Sequence, residues 1–320
     1  MLLTSSLISV VCASVGRDSL LPLVRGLTCS THVGEILIIL PPNVTPSSDL
    51  VEFCENIPSI SILWSSYRGQ VHQRVFGVRQ ARYDYVLFID DDIDISRSCV
   101  DQLTSSLSLL PDLSVIAPRI RVRPIARAAR SWSFSIYALS VMYIFDRILS
   151  FNLFQVPYSL SYFHIPLSVT SSNFLPSMVQ WLPGGCILMP TCLAPKESYY
   201  MFSGKAYGED VFLSTYLIDN NASLYLDSKS VVYTNDESAF QGFNIHLFVR
   251  LAIHRLSRIN SLPLLLAALI LLPLHLLISY SLLFFSRKIK LLLCSARMLL
   301  ASSRITFFSR CGKLPLSDEN

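Results

Sequence analysis

Charged residues are scarce in this sequence of 320 residues: they make up only 15% of it, whereas hydrophobic residues make up 52%. Ordinary soluble domains carry a charge on about a quarter of their residues. The chain is therefore too apolar for an ordinary soluble protein. Polar residues nevertheless interrupt its apolar runs too often for a transporter with many membrane spans. The composition predicts a soluble-type domain that carries a membrane attachment.

Paired cysteines, a strong net charge and internal repeats are also missing. The eight cysteines are scattered without a C-x-x-C pair, which argues against a zinc site or a disulfide framework and fits a reducing compartment. The net charge of +4 is too small to indicate a nucleic-acid partner. No basic region precedes the apolar stretch Met1–Ala13, so we do not expect a signal peptide.

The most informative stretch is Tyr85–Ile95, where a short apolar run leads directly into an acidic cluster. Tyr85–Ile89 is rich in β-forming residues and has no helical period, so it predicts a buried strand. Asp90, Asp91 and Asp92 follow at its carboxyl end, where open α/β sheets bind ligands. Three adjacent carboxylates repel one another, and oxygen ligands of this kind suit Mg²⁺ or Mn²⁺. A solvated acidic turn is the simpler alternative.

Up to residue 117 the chain alternates between strand-like and helical patterns. Strands are predicted at Ser9–Cys12, Glu35–Leu40, Ser59–Trp64, Tyr85–Ile89 and Ser114–Ala117, and helices after a cap at Asp18 or Ser19, at Gln70–Ala81 and at Cys99–Leu110. A polar turn, Ser14–Asp18, follows the first strand. Strands that alternate with helices indicate an α/β fold in which a parallel sheet has helices on both faces.

The alternation stops at Pro118, and we expect a variable insert over residues 118–180. Arginines are frequent at its start, at positions 119, 121, 123, 127 and 130. In an extended chain the first three would share one face. They form either a solvated basic edge or a contact for diphosphate or anionic lipid headgroups.

Regular patterns return after the insert. Gly184 and Gly185 precede a predicted strand, Cys186–Met189, and Ser223–Tyr233 predicts two more short strands. Between them, Glu209 and Asp210 stand in the first turn of a predicted helix, where the helix dipole favours ionised carboxylates. Ordinary compensation of that dipole is the alternative to a functional role.

Leu262–Phe285 is the candidate membrane segment. It has 24 residues with no acidic or basic side chain except the titratable His275, which is long enough for a bilayer core of about 30 Å. Pro263 and Pro273 interrupt it, and basic residues lie on both sides. Three alternatives stay open: a single span, a re-entrant hairpin bent at Pro273, and a buried helix of a soluble domain.

Several of these stretches resemble the family 2 glycosyltransferases, which have the GT-A fold. The matching pieces occur in the family's order between about residues 5 and 235: Ser9–Val24, Glu35–Leu40, Gly69–Ala81, Phe88–Ile93, Pro183–Cys186 and Gly208–Asp210. The resemblance implies a GT-A nucleotide-diphospho-sugar transferase (Rossmann-like) catalytic domain over residues 1–240. Residues 241–320 would form a membrane-associated region that contains the hydrophobic segment 262–285.

The resemblance also implies the chemistry. Asp90 and Asp92 match the D-x-D signature, so Asp92 is the expected ligand of a Mn²⁺ or Mg²⁺ ion, and Asp90 is the expected contact to the ribose or to the metal. Asp210 matches the catalytic base of inverting transferases, and Glu209 would support it. The expected donor-binding residues are Ser14, Arg17, Arg74, Asp90, Asp91, Gly184 and Gly185, the two glycines at the junction of donor and acceptor.

The chain departs from the family pattern at four places. Pro41-Pro42 stands where an Asp usually holds the nucleobase, and the R-N-x-G element reads Arg74-Val75-Phe76-Gly77. Tyr233-Thr234-Asn235-Asp236 occupies the place of a histidine near the metal. No Trp lies near Gln241 and Arg250, which argues against a polymerising synthase.

The implied function is a membrane-attached, metal-dependent inverting glycosyltransferase at the cytoplasmic face. Its donor would be a nucleotide sugar, UDP-linked by default, and its acceptor a lipid-linked or cell-surface glycan. A catalytically inactive GT-A-like scaffold or binding subunit is the main alternative. Asp90, Asp91 and Asp94 also match the D-D-x-x-D motif of prenyl-diphosphate synthases, but that motif needs helices and a second copy. Phosphatases of the haloacid-dehalogenase type need Thr or Val where Asp94 stands.

Overall fold

The computed structural model describes residues 7–122, 159–160, 166–167, 175–202 and 205–234, together with residues 250, 251, 254 and 258. The predicted hydrophobic segment 262–285 and most of the insert 118–180 lie outside this part of the chain. Within it, no helix has both the length and the apolar character needed to cross a membrane.

Up to Asp90 the described elements alternate between strand and helix, as predicted, although the helix Ser48–Glu55 and the strand Ile93–Ile95 were not expected from the sequence. The strands are β1 (Ile8–Ala13), β2 (Val33–Leu40), β3 (Ile60–Trp64), β4 (Tyr85–Asp90), β5 (Ile93–Ile95), β6 (Ser114–Val122), β7 (Ser159–Leu160), β8 (Pro166–Leu167), β9 (Ser177–Met178), β10 (Cys186–Pro190) and β11 (Ser223–Thr234). The helices are α1 (Leu20–Leu27), α2 (Ser48–Glu55), α3 (Gln70–Gln80), α4 (Cys99–Leu107) and α5 (Glu209–Asp219).

Nine of the strands form one mixed sheet in the order β3-β2-β1-β4-β10-β6-β11-β5, with β9 paired to β11. The first four strands are parallel, as expected, but β10 runs antiparallel to both β4 and β6. The predicted parallel sheet is therefore confirmed for β3, β2, β1 and β4, and it does not extend to β10. Parallel neighbours need a crossover connection, usually a helix, and β10 instead inserts between β4 and β6 after the long connection that begins at residue 123.

Three smaller predictions also need correction. The segment Ser223–Thr234 is one long strand with an irregularity between Asp227 and Val231, not two short strands. β6 continues past Pro118 to Val122, so Arg119 and Arg121 belong to the sheet. Ser19 is the N-cap residue of α1, but its side chain makes no capping hydrogen bond.

The sheet has an apolar core on each face because its strand residues alternate in direction. In β1, Val10 and Cys12 belong to the core that includes α1, α2 and α4, whereas Val11 belongs to the core with α3 and α5. Residues of β2, β4 and β10 divide between the two cores in the same way. Helices on both faces were predicted and are confirmed.

Helix α3 lies unusually close to the sheet at Gly77. A Cβ atom on Gly77 would stand 2.4 Å from Cγ1 of Val11 and 3.2 Å from Cγ1 of Ile39. Both partners are fully buried and have no room to move aside, since protein interiors are close-packed. Glycine at this position therefore sets the depth at which α3 packs, and with it the depth of the side chains that α3 presents to the carboxyl edge of the sheet.

We expect Gly77→Ala to lower the free energy of unfolding by about 1–3 kcal/mol, the usual cost of overpacking a core, as measured by denaturant unfolding. The matched control is Gly26→Ala in α1, where the added Cβ would meet only the side chain and backbone of Ile95, at 3.3–3.4 Å. The control should change stability by less than about 1 kcal/mol, because the higher helix propensity of alanine, about 1 kcal/mol relative to glycine, offsets the cost of these contacts. Equal effects of the two changes would contradict the close-packing account.

Candidate active site

The predicted site residues gather where β1 and β4 end side by side. Ala13 and Asp90 are paired in register, at the carboxyl ends of two parallel strands. The helix after β1 packs on one face of the sheet, and α3, which precedes β4, packs on the other. Both strand ends therefore lie at the carboxyl edge of the parallel strands, where open α/β sheets bind ligands.

Asp91 is the buried member of the aspartate cluster, with only 4% of its surface exposed. One carboxylate oxygen accepts hydrogen bonds from Oγ of Ser14 at 2.6 Å and from the N–H of Val15 at 3.3 Å. Its other oxygen accepts from Nη1 of Arg17 at 3.0 Å. Asp91 thus ties the turn after β1 to the end of β4 and faces the protein rather than the solvent.

Asp92 and Asp90 are the members that solvent reaches, since about a quarter of each side chain is exposed. Nη1 of Arg17, the atom that binds Asp91, also lies 3.0 Å from Oδ2 of Asp92. Arg17 is itself half-exposed. A half-exposed cationic side chain therefore spans two of the three adjacent carboxylates.

Arg74 is completely buried beneath this cluster and joins it to the start of α5. Its Nη2 donates to Oδ1 of Asp90 and to the carbonyl oxygen of Gly184, both at 2.7 Å, and its Nη1 donates to Oε1 of Glu209 at 2.8 Å. Burial alone would lower the pKa of the guanidinium, but the charges of Glu209 and Asp90 outweigh it and raise that pKa well above its ordinary value. Arg74 is therefore permanently charged.

Glu209 is also buried, and each of its carboxylate oxygens has a donor. Oε1 accepts from Arg74, and Oε2 accepts from the hydroxyl of Tyr199 at 2.7 Å. The pKa of Glu209 is raised by burial, and the charge of Arg74 counteracts part of this effect. Gly184 lies so close that a Cβ atom on it would be 2.6 Å from Oε1 of Glu209, so this pairing needs glycine at position 184.

Asp210 follows in the first turn of α5 and is only partly buried. Its carboxylate accepts a hydrogen bond from the N–H of Val211 at 3.0 Å. Burial, and after it the charge of Glu209, raises the pKa of Asp210 from 3.8 to about 7. A carboxylate with a pKa near the working pH is suited to act as a general base.

The structure thus brings most of the predicted residues into one connected cluster: Ser14, Arg17, Arg74, Asp90, Asp91, Asp92, Gly184, Glu209 and Asp210. Gly185 joins it through its carbonyl oxygen, which accepts from the N–H of Asp90 at 2.9 Å. The specific roles in donor binding stay predictions. Arg74 meets carboxylates and a carbonyl beneath the cluster, a placement that its sequence position did not indicate.

Sequence reasoning missed two members of the cluster. Gln70 donates to Oδ1 of Asp90 at 2.7 Å, and Tyr199 donates to Glu209. Gln70 stands four residues before Arg74 in α3, a spacing that places both on one helix face and that could have indicated it. Tyr199 lies on an irregular segment between β10 and α5, where no periodicity marks a residue that points inward.

Comparison with known proteins agrees with this geometry at the level of the fold. The structure is similar to that of GalNAc-T7 with UDP, GalNAc and Mn²⁺, with a TM-score of 0.53 and 14% identity over 78% of this chain and 48% of that one. It is similar to residues 1–349 of TarS from S. aureus, with a TM-score of 0.50 and 14% identity over 80% and 66% of the two chains. A mannosyltransferase from Pyrobaculum calidifontis, in complex with GDP-Man and Mn²⁺, has a TM-score of 0.52 and 12% identity over 93% and 81%.

The chain has the GT-A nucleotide-diphospho-sugar transferase fold. No protein-family model and no curated protein sequence matches it. The chain spans less than two thirds of the length of the first two solved structures named above. Its membership of family 2 stays a prediction.

The GT-A fold implies a divalent cation, so we asked whether the residues present suit one. Within the described ranges, no group of three or more Asp, Glu, His or Cys residues could hold a metal ion by itself. Mg²⁺ and Mn²⁺ prefer oxygen ligands, and Mg²⁺ commonly binds to proteins through one or two carboxylates, with water and substrate phosphates completing its coordination. The partly exposed oxygens of Asp92 and Asp90 fit that arrangement, in which the nucleotide supplies the remaining ligands.

The raised pKa of Asp210 predicts a pH-dependent cost in stability. The folded protein holds this proton more tightly than the unfolded chain does, so the free energy of unfolding should fall as the pH rises from about 4 to about 7. The shift corresponds to at most about 4 kcal/mol. Asp210→Asn removes this cost, and its thermal midpoint should exceed that of the natural protein by several degrees at pH 8 and by less at pH 5.

The matched control for this measurement is Asp112→Asn, which removes an exposed carboxylate. Its thermal midpoint should follow that of the natural protein at every pH between 5 and 8. A constant difference between Asp210→Asn and the natural protein across that range would show that Asp210 does not carry the raised pKa.

Proposed function

We propose that this protein is an inverting glycosyltransferase that transfers a sugar from a nucleotide-sugar donor to an acceptor hydroxyl. The observation that carries the proposal is that one buried residue, Arg74, connects the aspartate cluster to the pair Glu209 and Asp210. Arg74 links the Asp90 end of the aspartate cluster to Glu209, the neighbour of Asp210. A sugar transfer needs a charged site for the leaving diphosphate at one end of the breaking bond and a base at the other.

The charge of the site supports a phosphate-bearing donor that arrives with a cation. Within the described residues, five carboxylates gather here, those of Asp90, Asp91, Asp92, Glu209 and Asp210, together with the guanidinium groups of Arg17 and Arg74. Such an acidic excess repels a bare diphosphate. A divalent cation held by Asp92 and Asp90, when bound, would neutralise the diphosphate as a leaving group.

Asp210 is the proposed base. Its carboxylate, which belongs to a partly buried residue, would take the proton of the acceptor hydroxyl as the hydroxyl oxygen attacks the anomeric carbon. The bond from that carbon to the diphosphate oxygen breaks on the opposite side, so a single displacement inverts the anomeric configuration. Similar folds solved with UDP, UDP-GlcNAc or GDP-Man support a nucleotide sugar as the donor.

We also propose membrane attachment through residues 262–285, with the catalytic domain at the cytoplasmic face and a lipid-linked or cell-surface glycan as the acceptor. The uncharged length of this segment supports attachment. The scattered cysteines of the sequence, which contain no C-x-x-C pair, support a reducing compartment.

The proposal is tested by nucleotide release from a panel of UDP-, GDP- and dTDP-sugars, with Mn²⁺, Mg²⁺ or a chelator, on the detergent-solubilised protein. Slow transfer of the sugar to water releases nucleotide, so no acceptor has to be known. We expect metal-dependent release from one donor. Asp92→Asn should reduce it by at least about 100-fold, the scale on which a single positioned charge acts in catalysis.

The control here is again Asp112→Asn, which removes one exposed carboxylate and should release nucleotide at the natural rate. If no donor is turned over, donor binding is measured by thermal shift. Binding without release would indicate that the acceptor is required, and transfer would then be assayed with polyprenyl-phosphate and glycan acceptors. Failure to bind every donor would overturn the proposal and favour an inactive scaffold.

A second prediction concerns Arg17, whose guanidinium forms an ion pair with Asp92, the expected ligand of the cation. Arg17→Gln should make Mn²⁺ bind about 1.4- to fivefold more tightly in the absence of donor, because an exposed ion pair that competes with the metal is worth about 0.2–1 kcal/mol. Mn²⁺ binding is measured by electron paramagnetic resonance of the free ion.

Two further variants make this result interpretable. Arg17→Lys keeps the positive charge and should bind Mn²⁺ as the natural protein does. Asp92→Asn should weaken binding. Unchanged binding in Asp92→Asn would show that Asp92 is not the ligand, whereas unchanged binding in Arg17→Gln alone would show that Arg17 does not compete.

A further inference from the structure

We propose that Tyr199 is a positioning residue for catalysis, which with Arg74 clamps Glu209 from two sides and thereby fixes the direction of the base Asp210. This inference rests on the proposed function and adds to it a residue outside every motif discussed above. Its basis is the geometry at the start of α5.

The clamp is two-sided because each oxygen of Glu209 has its own donor. Arg74 approaches Oε1 at 2.8 Å, and the hydroxyl of Tyr199 approaches Oε2 at 2.7 Å. The two donors come from α3 and from the segment before α5, which are 125 residues apart in the sequence. A carboxylate held at both oxygens cannot rotate about its terminal bond without losing a hydrogen bond. A buried group that loses its partner costs free energy.

The direction of Asp210 depends on this clamp because Glu209 and Asp210 are consecutive residues in the first turn of α5. The turn begins at Gly208, which has a left-handed backbone with φ of 69°, and the N–H of Glu209 donates to the carbonyl oxygen of Ala206 at 3.3 Å. The hydrogen bond given to the Asp210 carboxylate comes from the N–H of the next residue, within the same turn. A rotation of the turn would therefore carry Asp210 with it.

The same clamp holds the loop that faces Asp210. Arg74 donates to the carbonyl oxygen of Gly184, and a Cβ atom on Gly184 would lie 3.2 Å from Cβ of Asp210 as well as 2.6 Å from Oε1 of Glu209. The loop and the helix turn are thus in van der Waals contact with each other and with one guanidinium. Displacing Glu209 would therefore disturb both the Gly184 loop and the first turn of α5, which carries Asp210.

Tyr199 suits this role because it remains a hydrogen-bond donor. Burial, and after it the charge of Glu209, raises the pKa of its hydroxyl well above the ordinary value, so the proton stays on oxygen at neutral pH. Its ring packs against the core on the α5 side and lies 6.4 Å from the ring of Tyr216. Packing holds the ring in place, whereas the hydroxyl hydrogen-bonds to Glu209 and also interacts with Arg74, so removing the hydroxyl separates the polar contacts from the packing.

Tyr199→Phe removes the hydroxyl and keeps the ring. With the donor sugar found in the release assay, we expect kcat to fall about tenfold while KM for the donor stays within about twofold. A positioning defect acts on the transition state and spares ground-state donor binding. Tyr216→Phe is the matched control, since it removes the same atom from the neighbouring ring, and it should leave both constants unchanged.

A double variant tests whether Tyr199 acts through Glu209. Glu209→Gln should lower kcat, and adding Tyr199→Phe to it should lower kcat by less than twofold more, because Tyr199 then no longer donates to a charged carboxylate that is held at both oxygens. The pair Tyr216→Phe and Glu209→Gln should be additive. Full additivity of Tyr199→Phe with Glu209→Gln would overturn the inference, as would equal kinetics of Tyr199→Phe and Tyr216→Phe.

These outcomes are distinguishable from failure of the proposed function. If the natural protein transfers sugar and Tyr199→Phe behaves like Tyr216→Phe, only the role of Tyr199 is wrong. If the natural protein neither binds nor turns over any nucleotide sugar, the proposed function fails, and the inference that rests on it is rejected as well.

Discussion

One buried cation, the guanidinium of Arg74, is the interaction on which the arrangement of this site depends. It joins Asp90 at the end of β4, Glu209 at the start of α5 and the carbonyl oxygen of Gly184, three segments that no other described contact unites at one point. Its Nε is buried with no partner in the described part of the chain, so the hydrogen bonds of this group are made by its two terminal nitrogens. Breaking a buried ion pair costs about 3–5 kcal/mol, because it leaves an uncompensated charge.

The fold makes this arrangement possible by bringing α3 close to the sheet. Gly77 lets the helix descend onto Val11 and Ile39, and Arg74 stands one turn earlier on the same helix, at the depth where its side chain reaches below the carboxyl edge. The antiparallel entry of β10 between β4 and β6 then places the Gly184 loop directly beside the end of β4. Packing of the core and placement of the charges are therefore parts of a single arrangement.

Local patterns in the sequence predict the strands and helices well, because an apolar run such as Tyr85–Ile89 needs only its own residues to be identified as buried. They do not predict the direction of β10, since an apolar run reads the same in either direction and residues 118–180 conceal its route. The aspartates and the Glu209–Asp210 pair were identified by type. Asp91 is buried, whereas about a quarter of the Asp92 side chain is exposed. This difference depends on the turn Ser14–Arg17, which lies 74 or more residues away in the sequence. Tyr199 follows no pattern at all.

The contact at Gly184 also limits how this protein can change. Any side chain there must displace either Glu209 or the first turn of α5, and with it the base. Position 184 is consequently restricted to glycine as long as Glu209 and Asp210 keep their present arrangement.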